Sequence, residues 1–278
     1  MPQLIHSRDN GNAPIVADGS ILRLIHFNRV RLAPGETFEQ RLPAHEAVAV
    51  VQSGTVDMTV EGERFEAVGG RADVWSGPAD SVYVPLGASL RIENRSAAPA
   101  EIAIAGGVTD ERYAPFRVRP SEVSMVDVGS RETHSHRRIF HILGQNAQGR
   151  AGHLLVSELY ADDGCWSGYP PHKHDEDRGE DETAHEELYH YRFRPETGFG
   201  VQIAYADGQE QCFVTRSGDT FLLDRGYHPT VTSPGHQSYI FTILVGKSRR
   251  GLVQFFEPRH AHLMSHIPGI ALMRDKFR

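Results

Sequence analysis

The chain has 278 residues, 39% of them hydrophobic and 23% charged, with a formal net charge of −7, a composition that supports a sizeable globular core in one large or two ordinary domains. Six acids and one arginine in 175–182 carry −5 of that charge, so the remainder is near neutral and offers no basic face to nucleic acid or anionic lipid. No stretch reaches the ~20 apolar residues of a membrane span, residues 1–13 lack the apolar run of a secretory signal, and Cys165 and Cys212 are too few for a disulfide framework, so the expected compartment is the cytoplasm.

In chain order, strand signals come first over 47–51 and 55–60, joined by a Ser53-Gly54 turn, with apolar residues at alternate positions in the second. A turn at Glu61-Gly62-Glu63 follows, and a strand over 80–84 leads into Pro85-Leu86-Gly87. Residues 117–138 mix proline, serine, glycine and charge, which reads as a linker. Further strands are expected over 154–160, 187–193, 201–205, 213–216, 220–223 and 239–245. The run from Gly218 to Gly226 can be laid over that from Gly77 to Gly87 with the final glycines matched. The expectation is an all-β chain of two related barrels, residues 1–110 and 146–278, with a linker at 111–145.

The chemistry concentrates in the second half. Gly168-Tyr169-Pro170-Pro171-His172-Lys173-His174 is followed by Glu187-Leu188-Tyr189-His190-Tyr191 and then Gly226-Tyr227-His228-Pro229. Residues two apart on a strand share a face, so His172 and His174 can aim inward together while Lys173 points away. The same parity groups Glu187, Tyr189 and Tyr191. Glu186 competes with Glu187 and would face the other way with Leu188. Three imidazoles and a carboxylate suit one divalent transition ion, zinc, manganese, iron or nickel. Two other His-x-His pairs lack the later elements: His134 and His136 read as surface or substrate-facing linker residues, His260 and His262 as tail residues. In the first half His45 stands alone, and Ala88 and Ser89 occupy the place of a third histidine, so one metal per chain is expected.

This ordered ligand set resembles the two motifs of the cupin jelly-roll barrels. The run Trp166 through Asp175, the Glu186-Glu187-Leu188-Tyr189 element, Gly198-Phe199-Gly200 and Gly226-Tyr227-His228-Pro229 are further similar to the bacterial 5-deoxy-glucuronate isomerase family of myo-inositol catabolism, of the IolB type, over most of the chain. The resemblance implies a bicupin that turns 5-deoxy-glucuronate into 5-dehydro-2-deoxy-gluconate, with His172, His174, Glu187 and His228 as metal ligands. The chain departs from that family at Tyr239-Ile240-Phe241-Thr242-Ile243-Leu244-Val245-Gly246, where members show Tyr-Tyr-Leu-Asn-Val-Met-Ala-Gly. It also carries Phe140-His141 in place of a His-Asn pair. Both changes leave the ligands intact and bear on the choice of sugar acid.

An isomerase of this kind chelates its substrate at open positions on the ion and moves a proton between two carbons. Tyr189 and Tyr191, by parity, and His190, by its ordinary pKa but from the opposite face, are the candidates for proton handling. Arg192, Arg137 and Arg249 are candidates to hold a substrate carboxylate, and Gln202 to meet a hydroxyl. The acidic run 175–182 reads as a solvated loop or as a lid hinged at Gly179. A cupin dioxygenase and a non-enzymatic sugar-binding cupin stand as alternatives, and homo-oligomerisation stays open.

Overall fold

A computed structural model describes residues 2–17 and 19–277 of the chain. Nearly every element is a β-strand, and all strand pairs are antiparallel. In the first half a five-stranded sheet runs in the order Phe116–Val118, Asp80–Val84, His45–Ser53, Ala100–Val108, Ile25–Leu32. It faces a four-stranded sheet of Thr37–Arg41, Ser89–Glu93, Thr55–Val60 and Glu63–Gly69. Alternate residues of the two sheets fill the space between them with side chains such as Val30, Val51, Met58, Val82, Ile92 and Ile102. The buried side chains of that interior are aliphatic apart from Met58, with Phe38 and Phe65 packed against them.

The second half repeats the plan. Asp219–Leu223, His185–Arg194, Gln237–Gly246 and Leu154–Ala161 neighbour one another in one sheet in the same order as Asp80–Val84, His45–Ser53, Ala100–Val108 and Ile25–Leu32 in the other. A smaller sheet of Trp166–Ser167, Thr230–Thr232, Phe199–Ala206 and Gln209–Arg216 closes the second barrel. Gly87 and Gly226, matched in the sequence, both follow the matched strands with positive φ, 67° and 92°. The fold is therefore all-β and bicupin.

The polypeptide crosses between the two halves more than the sequence indicated. Gln3–His6, within the stretch expected for the first barrel, adds an edge strand to Asp219–Leu223 of the second. Within 111–145, expected as a linker, lie Phe116–Val118 in the first large sheet and Ser124–Val128 and Arg137–Leu143 in the second. Buried Val126, Val128 and Ile139 are what recruit this stretch into the sheet, packing under Ile267, Ile270 and Met273 of the C-terminal segment. Among the described residues no helix is long and apolar enough to cross a membrane.

The barrels meet through the outer faces of their large sheets. Phe27, Val48, Val50, Ala103 and Ala105 of the first pack on Leu154, Val156, Leu188, Tyr239, Phe241 and Val245 of the second. The approach is close enough that a Cβ on Gly107 would lie 2.9 Å from Val245 Cγ2, so glycine is required there. Two buried carboxylates in the seam are paired across it. Glu46 accepts from Gly152 N at 2.7 Å and Leu154 N at 2.9 Å. Arg71 makes a buried bidentate ion pair with Glu158, at 3.0 and 2.6 Å. These contacts fix the outer face of His185–Arg194, and through it the inner face that carries the site.

Candidate metal centre

His172 lies on the two-residue strand His172–Lys173, paired with Phe255–Phe256, and His174 follows with the same parity. Glu187 points inward from His185–Arg194, while its neighbour Glu186 faces the first barrel and accepts from Arg23 N at 3.1 Å and Leu24 N at 2.8 Å. His228 arrives from a tight bend at Gly226, where an added Cβ would sit 2.6 Å from Tyr205 O, so no side chain fits. Lys173 turns away, as parity demands, to Asp175 at 2.7 Å and Glu182 at 3.2 Å.

One ligand atom from each of His172, His174 and His228 lies within 4.8 Å of the others, and all three rings are buried. Glu187 Oε2 is 2.9 Å from His174 Nε2 and 3.1 Å from His228 Nε2. Donors held by one ion at a distance of ~2.1 Å and at a right angle lie about 3 Å apart, so this spacing fits a shared cation. The tautomers support the same reading. His228 Nδ1 faces Gly226 O at 2.9 Å and His172 Nδ1 faces Pro170 O at 3.2 Å. A carbonyl only accepts, so both Nδ1 atoms carry the proton and the Nε2 lone pairs face inward, the arrangement that metal-bound histidines use. Gln254 Nε2 donates to the exposed lone pair of His172 Nε2 at 2.9 Å.

The cluster gathers buried nitrogen donors around one carboxylate. His228 Nε2 and His174 Nδ1 are buried without hydrogen-bond partners among the described residues. Burial, reinforced by the neighbouring imidazoles of His228 and His174, holds His172 well below the ordinary histidine range, so it stays neutral. Burial alone would raise the Glu187 carboxyl, but its contacts with His174 and His228 outweigh this and hold it well below the usual carboxylate range. Burial alone would lower His174, but its contact with Glu187 outweighs this and raises it. Three imidazoles beside a carboxylate are the donor chemistry of a divalent transition metal.

Beside the cluster is a cavity whose walls include Arg137, Ser157, Glu187, Tyr189, Thr242 and Gln254. Arg137 is 1% exposed and forms no ion pair among the described residues; its guanidinium donates to Ser135 O at 2.8 Å and Tyr169 O at 2.7 Å. Burial pushes it down to about 10, so it remains a cation at neutral pH. Burial and the nearby Glu187 hold the Tyr189 hydroxyl well above 10, so it is a proton donor.

The remaining candidates divide by strand parity. Tyr191 faces inward, but its hydroxyl donates to Gln202 Oε1 at 2.6 Å, and Gln202 Nε2 donates to His228 O at 2.8 Å. These two side chains brace the third histidine. The structure does not bring His190, Arg192 or Arg249 to the cavity. His190 lies on the outer face, 2.9 Å from Thr220 Oγ1 and against Phe27. Arg192, on that same face, meets Gln52 and Glu101 of the first barrel. Arg249 is exposed in the loop after Gln237–Gly246 and donates to Gly179 O. His136 bridges Asp127 and Asp162, and His260 contacts Glu257 on the tail. The acidic run is organised around buried Glu182, which accepts from Asp175 N, Glu176 N and Arg178. Gln254 and Met273, which also line the cavity, carried no signal in the sequence because they follow the last recognisable motif.

Comparisons with known proteins agree with this architecture. The KduI/IolB family model matches residues 5–263. A 5-deoxy-glucuronate isomerase of Geobacillus kaustophilus is 32% identical over 245 residues, 87% of each chain. One of Lacticaseibacillus casei is 30% identical over 236 residues, 84% of this chain and 85% of its own. Among solved structures, an IolB-like protein of Salmonella typhimurium LT2 superimposes with a TM-score of 0.86 at 26% identity, covering 94% of this chain and 98% of that one. Oxalate decarboxylase of Bacillus subtilis shares the fold alone, with a TM-score of 0.60 at 11% identity over 95% of this chain and 78% of that one. By the extent of these matches, the chain belongs to the KduI/IolB family.

Proposed function

We propose that this chain is a metal-dependent aldose–ketose isomerase that converts 5-deoxy-glucuronate into 5-dehydro-2-deoxy-gluconate. The isomerase class follows from the family; the substrate, the pathway of myo-inositol catabolism and the metal are the proposal. One observation carries it: three inward histidine donors within 4.8 Å of one another, with Glu187 against two of them, open on a cavity that also holds an unpaired arginine.

His172, His174, Glu187 and His228 would hold the ion. When bound, a divalent metal supplies fixed positive charge beside a substrate carbonyl and hydroxyl, which favours the oxyanion that forms as a carbon-bound proton is moved. Arg137 supplies the complementary grip on the other end of the substrate, where a sugar acid carries its carboxylate. Tyr189 keeps a proton at its Oη next to Glu187, available to the oxygen that becomes an alcohol in the product. Ile139, Leu159, Leu244 and Met273 line the same cavity and exclude water from the reacting carbons. The first barrel, with its apolar interior, acts as the structural partner that fixes the outer face of the site strand.

Nuclear magnetic resonance of 5-deoxy-glucuronate incubated with metal-loaded protein tests the reading. Loss of the aldehyde signal and gain of a ketone are expected; an unchanged spectrum with full metal occupancy would overturn the substrate assignment.

A further inference from the structure

On the outer face of the site strand, at one end of the seam between the barrels, an open cavity is lined by Arg8, Arg29, Arg31 and Arg192, with Trp75 and Phe193 among its walls. We infer that this cavity is a second binding site, separate from the metal centre, for a small phosphate monoester.

The charge balance points to an anion. Arg31 and Arg192 share a single carboxylate, Glu101. Arg8 and Arg29 form no ion pair among the described residues, and Arg29 instead donates to the backbone carbonyls of Ser7 and Arg8. Glu196 on the wall and Asp9 nearby are the other acids at hand. Arg29 is only 3% exposed, and its Nε, like that of Arg192, is buried with no hydrogen-bond partner among the described residues. A buried guanidinium with an unused N–H normally finds an acceptor. Burial and repulsion from Arg31 push Arg29 down to about 10, a sign that the protein's own acids do not compensate it.

The shape of the cluster selects the class of anion. Guanidinium groups of Arg29 and Arg31 from the first barrel and of Arg192 from the second line the same cavity. A carboxylate accepts in one plane, whereas a phosphate monoester presents three oxygens at about −1.5 to −2 charge near neutral pH. Trp75 and Phe193 offer an apolar face to the carbon skeleton that the ester carries. A ligand held from both barrels binds only the assembled seam, and so stabilises the folded chain by mass action.

The test is calorimetric titration and thermal unfolding of the metal-loaded protein with glycerol 3-phosphate, against succinate and potassium chloride at matched ionic strength. Saturable binding of the phosphate ester with a rise in Tm is expected. The double variant Arg8→Gln/Arg31→Gln, in which both side chains reach solvent, should bind it at least about tenfold more weakly. Arg225→Gln, at an exposed pair with Asp207, should bind it as the parent does. Absence of saturable binding, equal binding of succinate, or an affinity unchanged in the double variant would each overturn the inference.

Discussion

Gln202 and His228 are joined by a hydrogen bond of 2.8 Å from the side-chain amide of the first to the carbonyl of the second. The oxygen of that amide accepts the Tyr191 hydroxyl at 2.6 Å. A fully buried glutamine thus sets the position of a histidine that the cluster needs. Gln202→Leu removes that hold and leaves the tyrosine hydroxyl buried without an acceptor. Groups that orient a ligand from behind are typically worth about 10- to 100-fold in metal affinity. Equilibrium titration of metal-free protein should show a loss in that range, and parental affinity would show that Gln202 does not position the site.

Arg137 is the cation that the cavity leaves without a protein counter-charge. Arg137→Met keeps most of the volume and removes the donors. Losing a paired, charge-assisted contact of about 3 kcal/mol corresponds to roughly a hundredfold in kcat/KM. The loss should appear with 5-deoxy-glucuronate and shrink for an aldose that lacks the carboxylate. Equal losses on both substrates would assign Arg137 to the integrity of the barrel instead.

Across the seam, Arg71 and Glu158 form an ion pair buried on both sides, and Tyr239 donates to the same carboxylate at 2.8 Å. Removing one partner of such a pair strands the other, at a cost of about 3–5 kcal/mol. Urea unfolding should show Arg71→Met destabilised by that order and Arg71→Met/Glu158→Gln partly restored. If the double variant is no more stable than the single one, the stranded charge is not the cause.

His190 gives the stability a defined pH dependence. Burial, with repulsion from Arg29 and Arg31, pushes it down to about 3, whereas an unfolded histidine titrates near about 6.5. Between these values the unfolded chain binds a proton that the folded chain refuses, so this contribution to stability is present above about 6.5 and is lost as pH falls toward 3. The slope is about 1.4 kcal/mol per pH unit, or about 2 kcal/mol between pH 6.5 and 5. Unfolding free energies of His190→Phe should decline less over that interval by this amount. Parallel curves for parent and variant would contradict the neutral, buried histidine.

How far the sequence reached depends on whether the signal was local. Strand parity placed Glu187, Tyr189 and Tyr191 on one face and His190 on the other, because the two-residue period needs no knowledge of distant partners; Arg192, expected at the substrate, shares the outer face with His190 and meets Gln52 and Glu101 instead. The order of His172, His174, Glu187 and His228 separated one His-x-His from two others for the same reason. What Tyr191 does was not legible, since its hydroxyl is spent on Gln202 of a neighbouring strand, a distance that no spacing encodes. Residues 124–128 and 137–143 were hidden among proline, serine and glycine, and their apolar positions acquire meaning only under the C-terminal segment. The edge strand Gln3–His6 is four residues long and reveals itself only by pairing with Asp219–Leu223. In the acidic run, burial of Glu182 follows from its capture of two backbone amides and Arg178, where composition alone pointed to solvent.

The proposed chemistry depends on a single divalent ion gathered by the second barrel. Elemental analysis of purified parent protein and of His228→Ala, with circular dichroism to confirm that both are folded, tests this most directly. One transition-metal ion per parent chain, and its loss from the variant, is the predicted result. A folded variant with the parent's metal content would contradict the proposed centre.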